Sequence, residues 1–386
     1  VRIRKRALGL LLGAAVLFLI GTNVQAGWLY VLSALLLGAV LSGMLLPFAA
    51  LRGIRAELVA PAEAEQGGEA FVDVRLANTA RGVRWSVAVV DGHLEDTEVF
   101  VPAIGPGERV ELTTLRTPTR RGEIATHRVE VRSSAPFGVA ERRRRLDVGA
   151  TTLVLPRVFR LGAMPFVQAT ATNDAGIHPS PRRGYGPEYL GVREYRTGDS
   201  MRHVHWGLTA RHGQVMVREF EREQTRRLAI AIDTERDEGD AWTPLDRACS
   251  AAASLLEAAS AHGHGARLVA AVGDEVEVLA RADEDDTLRW LARLRPSGVP
   301  LADAFGRLGP EELRGVETLV VVAPAWSRDL AALGPVLASA PAERVVLVAV
   351  ATGEAPPDPS ALARAGVEVH VWADGQDLAD ALGVTP

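Results

Sequence analysis

Three hydrophobic patterns follow one another along the chain. The first is unbroken apolarity: Ala7 to Ile20, reaching about Val24 if it is to span a membrane, and then Trp28 to Leu51 with no charge inside it. The second run is long enough for a helix through a ~30 Å hydrocarbon layer. Trp28 and Tyr30 sit at the join, where amphipathic aromatics favour the membrane–water interface. The second pattern has period two, from about Arg55 to Val158. Phe71-Val72-Asp73-Val74-Arg75-Leu76, Arg84 to Val89 and Arg128 to Val131 alternate, and turns such as Gly105-Pro106-Gly107 separate such runs. Short alternating strands at this spacing predict a small antiparallel β-sandwich. The third pattern, from Arg227, alternates apolar strands with helices. Strands are expected at Leu228–Ile232, Leu268–Val272, Leu319–Val322 and Val345–Val350, with helical stretches at Thr287–Leu294 and Leu330–Leu337. Thr243-Pro244-Leu245-Asp246 reads as an N-cap, a proline at the first helical position and an acid at the third. The helix it opens puts Leu245, Ala248, Ala252, Leu255, Leu256 and Ala259 on one face, and Gly263 stops it. Such alternation predicts a Rossmann-type parallel sheet covered on both faces.

The expected organisation is therefore a two-helix transmembrane hairpin over 1–54, a β-sandwich over 55–158, a connecting segment over 159–226 and an α/β domain over 227–386. Arg2, Arg4, Lys5 and Arg6 precede the apolar pair and Arg52 and Arg55 follow it. Positive charge on both outer flanks places both ends in the cytoplasm. A signal peptide ending near Val24-Gln25-Ala26 is the alternative, and under it the second helix still anchors the chain. The four-arginine run Arg142–Arg145 reads as a solvated strand edge that discourages aggregation, with contact to anionic lipid headgroups as the alternative.

Composition narrows the chemistry. The net charge is −5, which gives no support for nucleic acid. Lys5 is the only lysine, so the soluble body has none for a Walker A loop or a Schiff base. Cys249 is the only cysteine and falls within the first helix of the α/β domain, where it reads as packing. No GxSxG elbow, HExxH pair or GxGxxG turn occurs, and His203-Val204-His205 places two imidazoles on one face of a possible strand without the further ligands zinc needs.

In an open α/β sheet, ligands bind beyond the carboxyl ends of the strands. The first such position is Asp233-Thr234-Glu235-Arg236-Asp237. A von Willebrand A-type metal site would want Asp-x-Ser-x-Ser there, a Thr from a later loop and an Asp after the fourth strand. Glu235 and Asp237 replace the serines, the later loop reads Ser297-Gly298-Val299-Pro300, and the fourth strand runs into Ala323-Pro324. Asp233, Glu235 and Asp237 are thus weak metal candidates, and the expectation is that they cap a strand end with no metal or cofactor.

The stretch before the sheet is denser. Between Arg182 and Arg227 there are ten Arg against six Asp and Glu, interleaved with Tyr185, Tyr189, Tyr195, Trp206 and Phe220. Guanidinium groups that stack on rings and pair with carboxylates suit either a docking surface or an internal ion-pair network. The run Glu188-Tyr-Leu-Gly-Val-Arg-Glu-Tyr-Arg-Thr-Gly-Asp-Ser-Met-Arg-His-Val-His-Trp206, followed by Ala210-Arg211 and Val217-Arg218-Glu219, resembles the bacterial domain-of-unknown-function family 58. Arg121-Gly122, Ser134-Ala-Pro-Phe-Gly138 and Val154-Leu-Pro156 match the same family's run into that motif. The family usually has Asp where His205 stands and often Lys where Gly207 stands. The resemblance implies two N-terminal membrane helices and a von Willebrand A-like sheet domain. It further implies association with a MoxR-type AAA+ ATPase, often beside a transglutaminase-like membrane protein.

The functional expectation is a non-enzymatic, membrane-anchored cytoplasmic adaptor that binds protein partners in envelope-related assembly. Its partner-binding or structural motif is Arg193, Arg196, Asp199, Arg202, Trp206 and Arg211. The alternative is a metal-dependent ligand-binding module at Asp233.

Overall fold

The computed structural model describes residues 2–3, 5–163, 166, 183–195, 204–221, 226–280, 283–308, 312–324, 329–351 and 359–384. The chain divides into two compact units, one of residues 1–157 with 238–250 and 284–295, the other of 158–237 with 251–283 and 296–386.

In the first unit a short strand β1 (Arg2–Ile3) leads into helices α1 (Lys5–Val24) and α2 (Gly27–Ala50). The pair packs antiparallel through small residues: Ser33 Oγ donates to the Ala14 carbonyl at 2.8 Å, and a Cβ on Gly21 would sit 3.2 Å from Leu29 Cβ. Their outer faces carry exposed Leu8, Leu12, Leu19, Leu35, Leu41 and Leu45. Both helices are long and apolar enough to cross a membrane. The connection to the next strand is only three residues, and Leu51 and Ile54 at its ends are buried in the sandwich core.

That sandwich is built from β2 (Ile54–Val59), β3 (Glu63–Glu65), β4 (Ala70–Asn78), β5 (Arg84–Asp91), β6 (Thr97–Ile104), β7 (Arg109–Arg116), β8 (Gly122–Ser133) and β9 (Ala140–Leu155). One sheet runs β2-β4-β7, the other β1-β9-β8-β5-β6, with β3 parallel to β9. The alternation predicted for β4 is present: Val72, Val74 and Leu76 face the core and Phe71 and Arg75 face outward. Val87, Val89, Val101, Val129 and Val131 come down from the opposite sheet. Alternate burial of this kind lets each strand bury one face and solvate the other.

The arginine run lies in β9, which pairs with β8 along this stretch, and Arg143, Arg144 and Arg145 are exposed. Arg142 stacks 4.4 Å from the Phe48 ring centroid, and Arg144 Nη1 donates to the Leu51 carbonyl at 3.2 Å. Arg143 instead pairs with Glu141 and Glu130. Period-two alternation divides the run between two sides of the strand.

In the second unit, β10 (Arg183–Glu194), α3 (Trp206–His212) and β11 (Met216–Glu221) precede the sheet. The strand β10 begins inside the stretch expected to be a connecting segment. The sheet order is β14 (Glu275–Ala280), β13 (Gly265–Val272), β12 (Arg226–Ile232), β15 (Thr318–Pro324), β16 (Arg344–Val350) and β17 (Val367–Trp372). All neighbours are parallel except β14, which returns antiparallel on β13 at one edge. The central strands β12, β15 and β16 are buried on both faces, as continuous apolar runs require. The helices that follow in the chain are α4 (Pro244–Ala261), whose residues to Ser250 belong to the first unit, α5 (Glu284–Arg293), which belongs to the first unit, and α6 (Leu301–Arg307), α7 (Asp329–Ala338), α8 (Pro359–Arg364) and α9 (Leu378–Ala381) of the second. At the start of α4 the Asp246 N–H donates to Thr243 Oγ1 at 3.1 Å, the expected cap, and Gly263 follows the helix at φ 70°. Cys249 is fully buried on that helix.

Candidate functional site

The Arg-rich motif folds as a hairpin with a helical excursion. Strands β10 and β11 pair antiparallel, with Val192 opposite Arg218, Arg193 opposite Val217 and Glu194 opposite Met216. The Tyr195 N–H still reaches the Val215 carbonyl at 2.8 Å, and Val204 returns to bridge Val217. Both valines of that bridge are buried. They hold the excursion against the strand, because burying two β-branched side chains removes apolar surface from water.

His205 then starts α3. Its Nδ1 accepts from the Leu208 N–H at 3.2 Å, the work a Ser or Asp does at most helix N-termini. The His205 N–H donates to the Met216 carbonyl at 2.7 Å. Of His203-Val204-His205, His203 lies outside the described residues, Val204 bridges Val217 and His205 caps a helix. An imidazole with an unprotonated Nδ1 can accept this bond. The helix ends at Gly213 (φ 73°), whose N–H reaches the Thr209 carbonyl, and Thr209 Oγ1 accepts from the Met216 N–H at 2.9 Å. Only a residue at ease with positive φ closes such a turn.

What this scaffold presents is aromatic and basic. Trp206, the first residue of α3, is 65 % exposed, and Tyr195 and Arg211 are also exposed. Arg193 has its backbone in β10. Arg196, Asp199 and Arg202 lie outside the described residues.

At the carboxyl end of β12 the geometry is that of a fastened loop. Asp233 is buried, its N–H donates to the Val322 carbonyl at 2.9 Å, and its Oδ1 accepts from the Glu235 N–H at 3.0 Å. Thr234 Oγ1 donates to the Ala271 carbonyl at 2.8 Å and lies 3.1 Å from Ser297 Oγ. The Ser297 and Gly298 N–H groups close the loop onto the Thr234 and Glu235 carbonyls. Among the described residues no group of three or more His, Cys, Asp or Glu side chains converges as a metal-ligand set, so Asp233, Glu235 and Asp237 are not gathered. Thr234 and Ser297 were outside the candidate set. A hydroxyl pair meeting across 63 residues leaves no local pattern to read.

With this geometry in view, residues 191–349 match the family model described as "Protein of unknown function DUF58". Over these residues the chain is similar to the DUF58 family. The matched segment starts in β10 and ends in β16, so it takes in the hairpin, α3 and the sheet as far as β16. The uncharacterized protein YeaD of Bacillus subtilis is 27 % identical over 194 residues, covering 50 % of this chain and 47 % of YeaD. The chain thus spans about half the length of this relative. Two solved structures are also similar in part. The CARDB domain of PF1109 from Pyrococcus furiosus is 18 % identical, covering 25 % of this chain and 94 % of its own, with a TM-score of 0.18. The GH20 exo-β-N-acetylglucosaminidase of Vibrio harveyi is 10 % identical, covering 74 % and 60 %, with a TM-score of 0.19.

Proposed function

We propose that this protein is a membrane-anchored adaptor whose hairpin and α3 dock a cytoplasmic protein partner. The partner class is a MoxR-type AAA+ ATPase, working in envelope-related assembly, with a transglutaminase-like membrane protein as a further member of the complex. The helical hairpin spans the membrane twice and leaves the body in the cytoplasm, in keeping with the basic residues on its outer flanks. The sheet domain is read as von Willebrand A-like, a reading favoured by its mostly parallel order with one antiparallel edge. No reaction, cofactor or nucleic acid is assigned to it.

The observation that carries this reading is the exposure of Trp206 on a tied-down helix. An indole ring left in water on a rigid support, with an exposed arginine on the same helix, has the composition of interface hot spots. An internal ion-pair network would instead bury the motif's aromatic residue.

The test is a crosslinked capture from native membranes, comparing wild type with Trp206→Ala/Arg211→Ala. Loss of a hot spot worth about 2 kcal/mol or more lowers recovery of an AAA+ ATPase about thirtyfold. Equal recovery by a folded variant places the contact elsewhere on the chain, and recovery by neither removes the ATPase as partner.

A further inference from the structure

The two helices of the hairpin do not end level. Ala7 of α1 shares a cluster with Val40 of α2, and α1 begins at Lys5. The last turns of α2, from about residue 44, therefore continue alone for about 10 Å. At 24 residues α2 is about 36 Å long. That exceeds a ~30 Å hydrocarbon layer, so its C-terminal turns emerge among headgroups.

The β-sandwich is joined to this end without slack. Val139 is fully buried against Val40 and Ala7, and a Cβ on Gly43 would come within 2.9 Å of Val139 Cβ. Strand β1, just ahead of α1, pairs with β9. Around the emerging helix stands a collar of guanidinium groups. Arg84 Nε donates to the Arg52 carbonyl at 2.9 Å, Arg144 reaches the Leu51 carbonyl and Arg142 covers Phe48. Nearby carboxylates are engaged on other arginines: Glu98 with Arg132, and Glu130 and Glu141 with Arg143. Arg52, Arg144 and Arg145 are exposed. Two aromatic residues flank the collar. Trp85 follows Arg84 and is 60 % exposed. Phe137 lies two residues before Val139, close to the level of the first apolar residues of α1, and is 50 % exposed.

We propose that this collar is a membrane-contact surface. Arg52, Arg142 and Arg144 hold the phosphodiester groups of anionic phospholipids, and Phe137 and Trp85 enter the interface between headgroups and acyl chains. The β-sandwich then lies on the leaflet instead of hanging from it. Guanidinium matches a phosphate in bidentate geometry, and amphipathic or aromatic rings settle at the boundary layer. The excess of arginine and its continuity with the apolar hairpin select a lipid surface as the occupant. The inference rests on the membrane-spanning reading of α1 and α2.

The experiment uses the full chain in nanodiscs of phosphatidylcholine mixed with phosphatidylglycerol, in a Cys249→Ala background. Single spin labels at Phe137→Cys and Trp85→Cys are compared with Leu35→Cys in the hairpin and Asp96→Cys beyond the far end of β5. The readout is collision with oxygen, which partitions into lipid, against a water-soluble nickel chelate. The labels at 137 and 85 are expected to favour oxygen several-fold over the label at 96, and to move toward water when phosphatidylglycerol is omitted. Labels at 137 and 85 that match the one at 96, while Leu35→Cys reads lipid, overturn the contact and leave the spanning hairpin intact. A water-like reading at Leu35→Cys removes the hairpin from the bilayer and both readings with it. Insensitivity to phosphatidylglycerol overturns the anionic-lipid assignment.

Discussion

His93 lies buried in the β-sandwich between two hydroxyls, with Thr126 Oγ1 3.0 Å from Nδ1 and Thr152 Oγ1 3.0 Å from Nε2. Thr152 already donates to the Pro61 carbonyl at 2.7 Å, so it accepts from Nε2–H, and Nδ1 is left to accept from Thr126. This tautomer has no place for a second ring proton. Burial holds the imidazole below the usual histidine range and the Arg116 guanidinium adds to it, against a smaller opposing pull from Asp91. Arg116 and Asp91 form a fully buried ion pair, with Arg116 also donating to the His93 carbonyl at 2.8 Å. The unfolded chain takes up a proton at His93 below about pH 6.5, where the folded chain does not. Stability tied to this group is therefore complete above that pH and is lost as the pH falls toward the lower folded value. Thermal unfolding of the detergent-solubilised chain is expected to drop more between about pH 7.5 and 5.5 for wild type than for His93→Gln. Parallel pH profiles would remove His93 as the cause. The alternation of β4 was readable residue by residue, but the meeting of His93 with Thr126 and Thr152 was not. Those partners are 33 and 59 residues away, on strands whose register alone brings them together.

Among the elements, the short ones were hardest to foresee. The seven-residue α3 carries too few turns for a 3.6-residue pattern to stand out, and its cap is a histidine. Replacing that cap is expected to matter locally: His205→Ala costs about 0.5–2 kcal/mol of helix stability. Hydrogen exchange at the Leu208 and Thr209 amides measures it, with faster exchange there and no change in β12 or β16. The long apolar strands were legible because burial on both faces demands an apolar run whatever the neighbours are. The antiparallel edge strand β14 and the strand β17 passed unnoticed. Their burial is partial, so Val276 and Val278 alternate with Glu275 and Glu277 in a stretch too short to outweigh loop composition.

At the scale of the whole molecule, residues far apart in sequence close the first unit. Arg121 Nε lies 3.2 Å from Asp246 Oδ1, and their side chains are 4 % and 5 % exposed. Its Nη1 donates to the carbonyls of Leu291 and Leu294 at 2.9 and 2.7 Å, at the C-terminal end of α5. The Leu291 carbonyl also accepts from the Leu294 N–H at 3.3 Å, and the carbonyls at this end form the negative end of the helix dipole. Gln66 Nε2 completes the group, donating to Asp246 Oδ2 and to the Thr119 carbonyl, each at 2.9 Å. Arg121→Ala removes one charge of this buried pair and is expected to cost about 3–5 kcal/mol. Urea unfolding in detergent measures the loss, and Arg121→Ala/Asp246→Ala should recover part of it. Additive losses in that cycle would show the two charges to be independent.

The sequence by itself determined the apolar hairpin, the alternating strands of the sandwich, the apolar strands of the parallel sheet and the capped start of α4. Each depends on a rhythm of side chains within one element, and burial acts on that rhythm wherever the element comes to lie. Tertiary structure decided what the charged and polar side chains do. It turned two arginines of the Arg142–Arg145 run onto the end of α2, made His205 a helix cap, fastened Thr234 to Ser297 and sent Arg121 to a helix end 170 residues away. A guanidinium or hydroxyl can satisfy its hydrogen bonds with many partners of nearly equal energy, so its choice follows from which backbones the fold brings within about 3 Å.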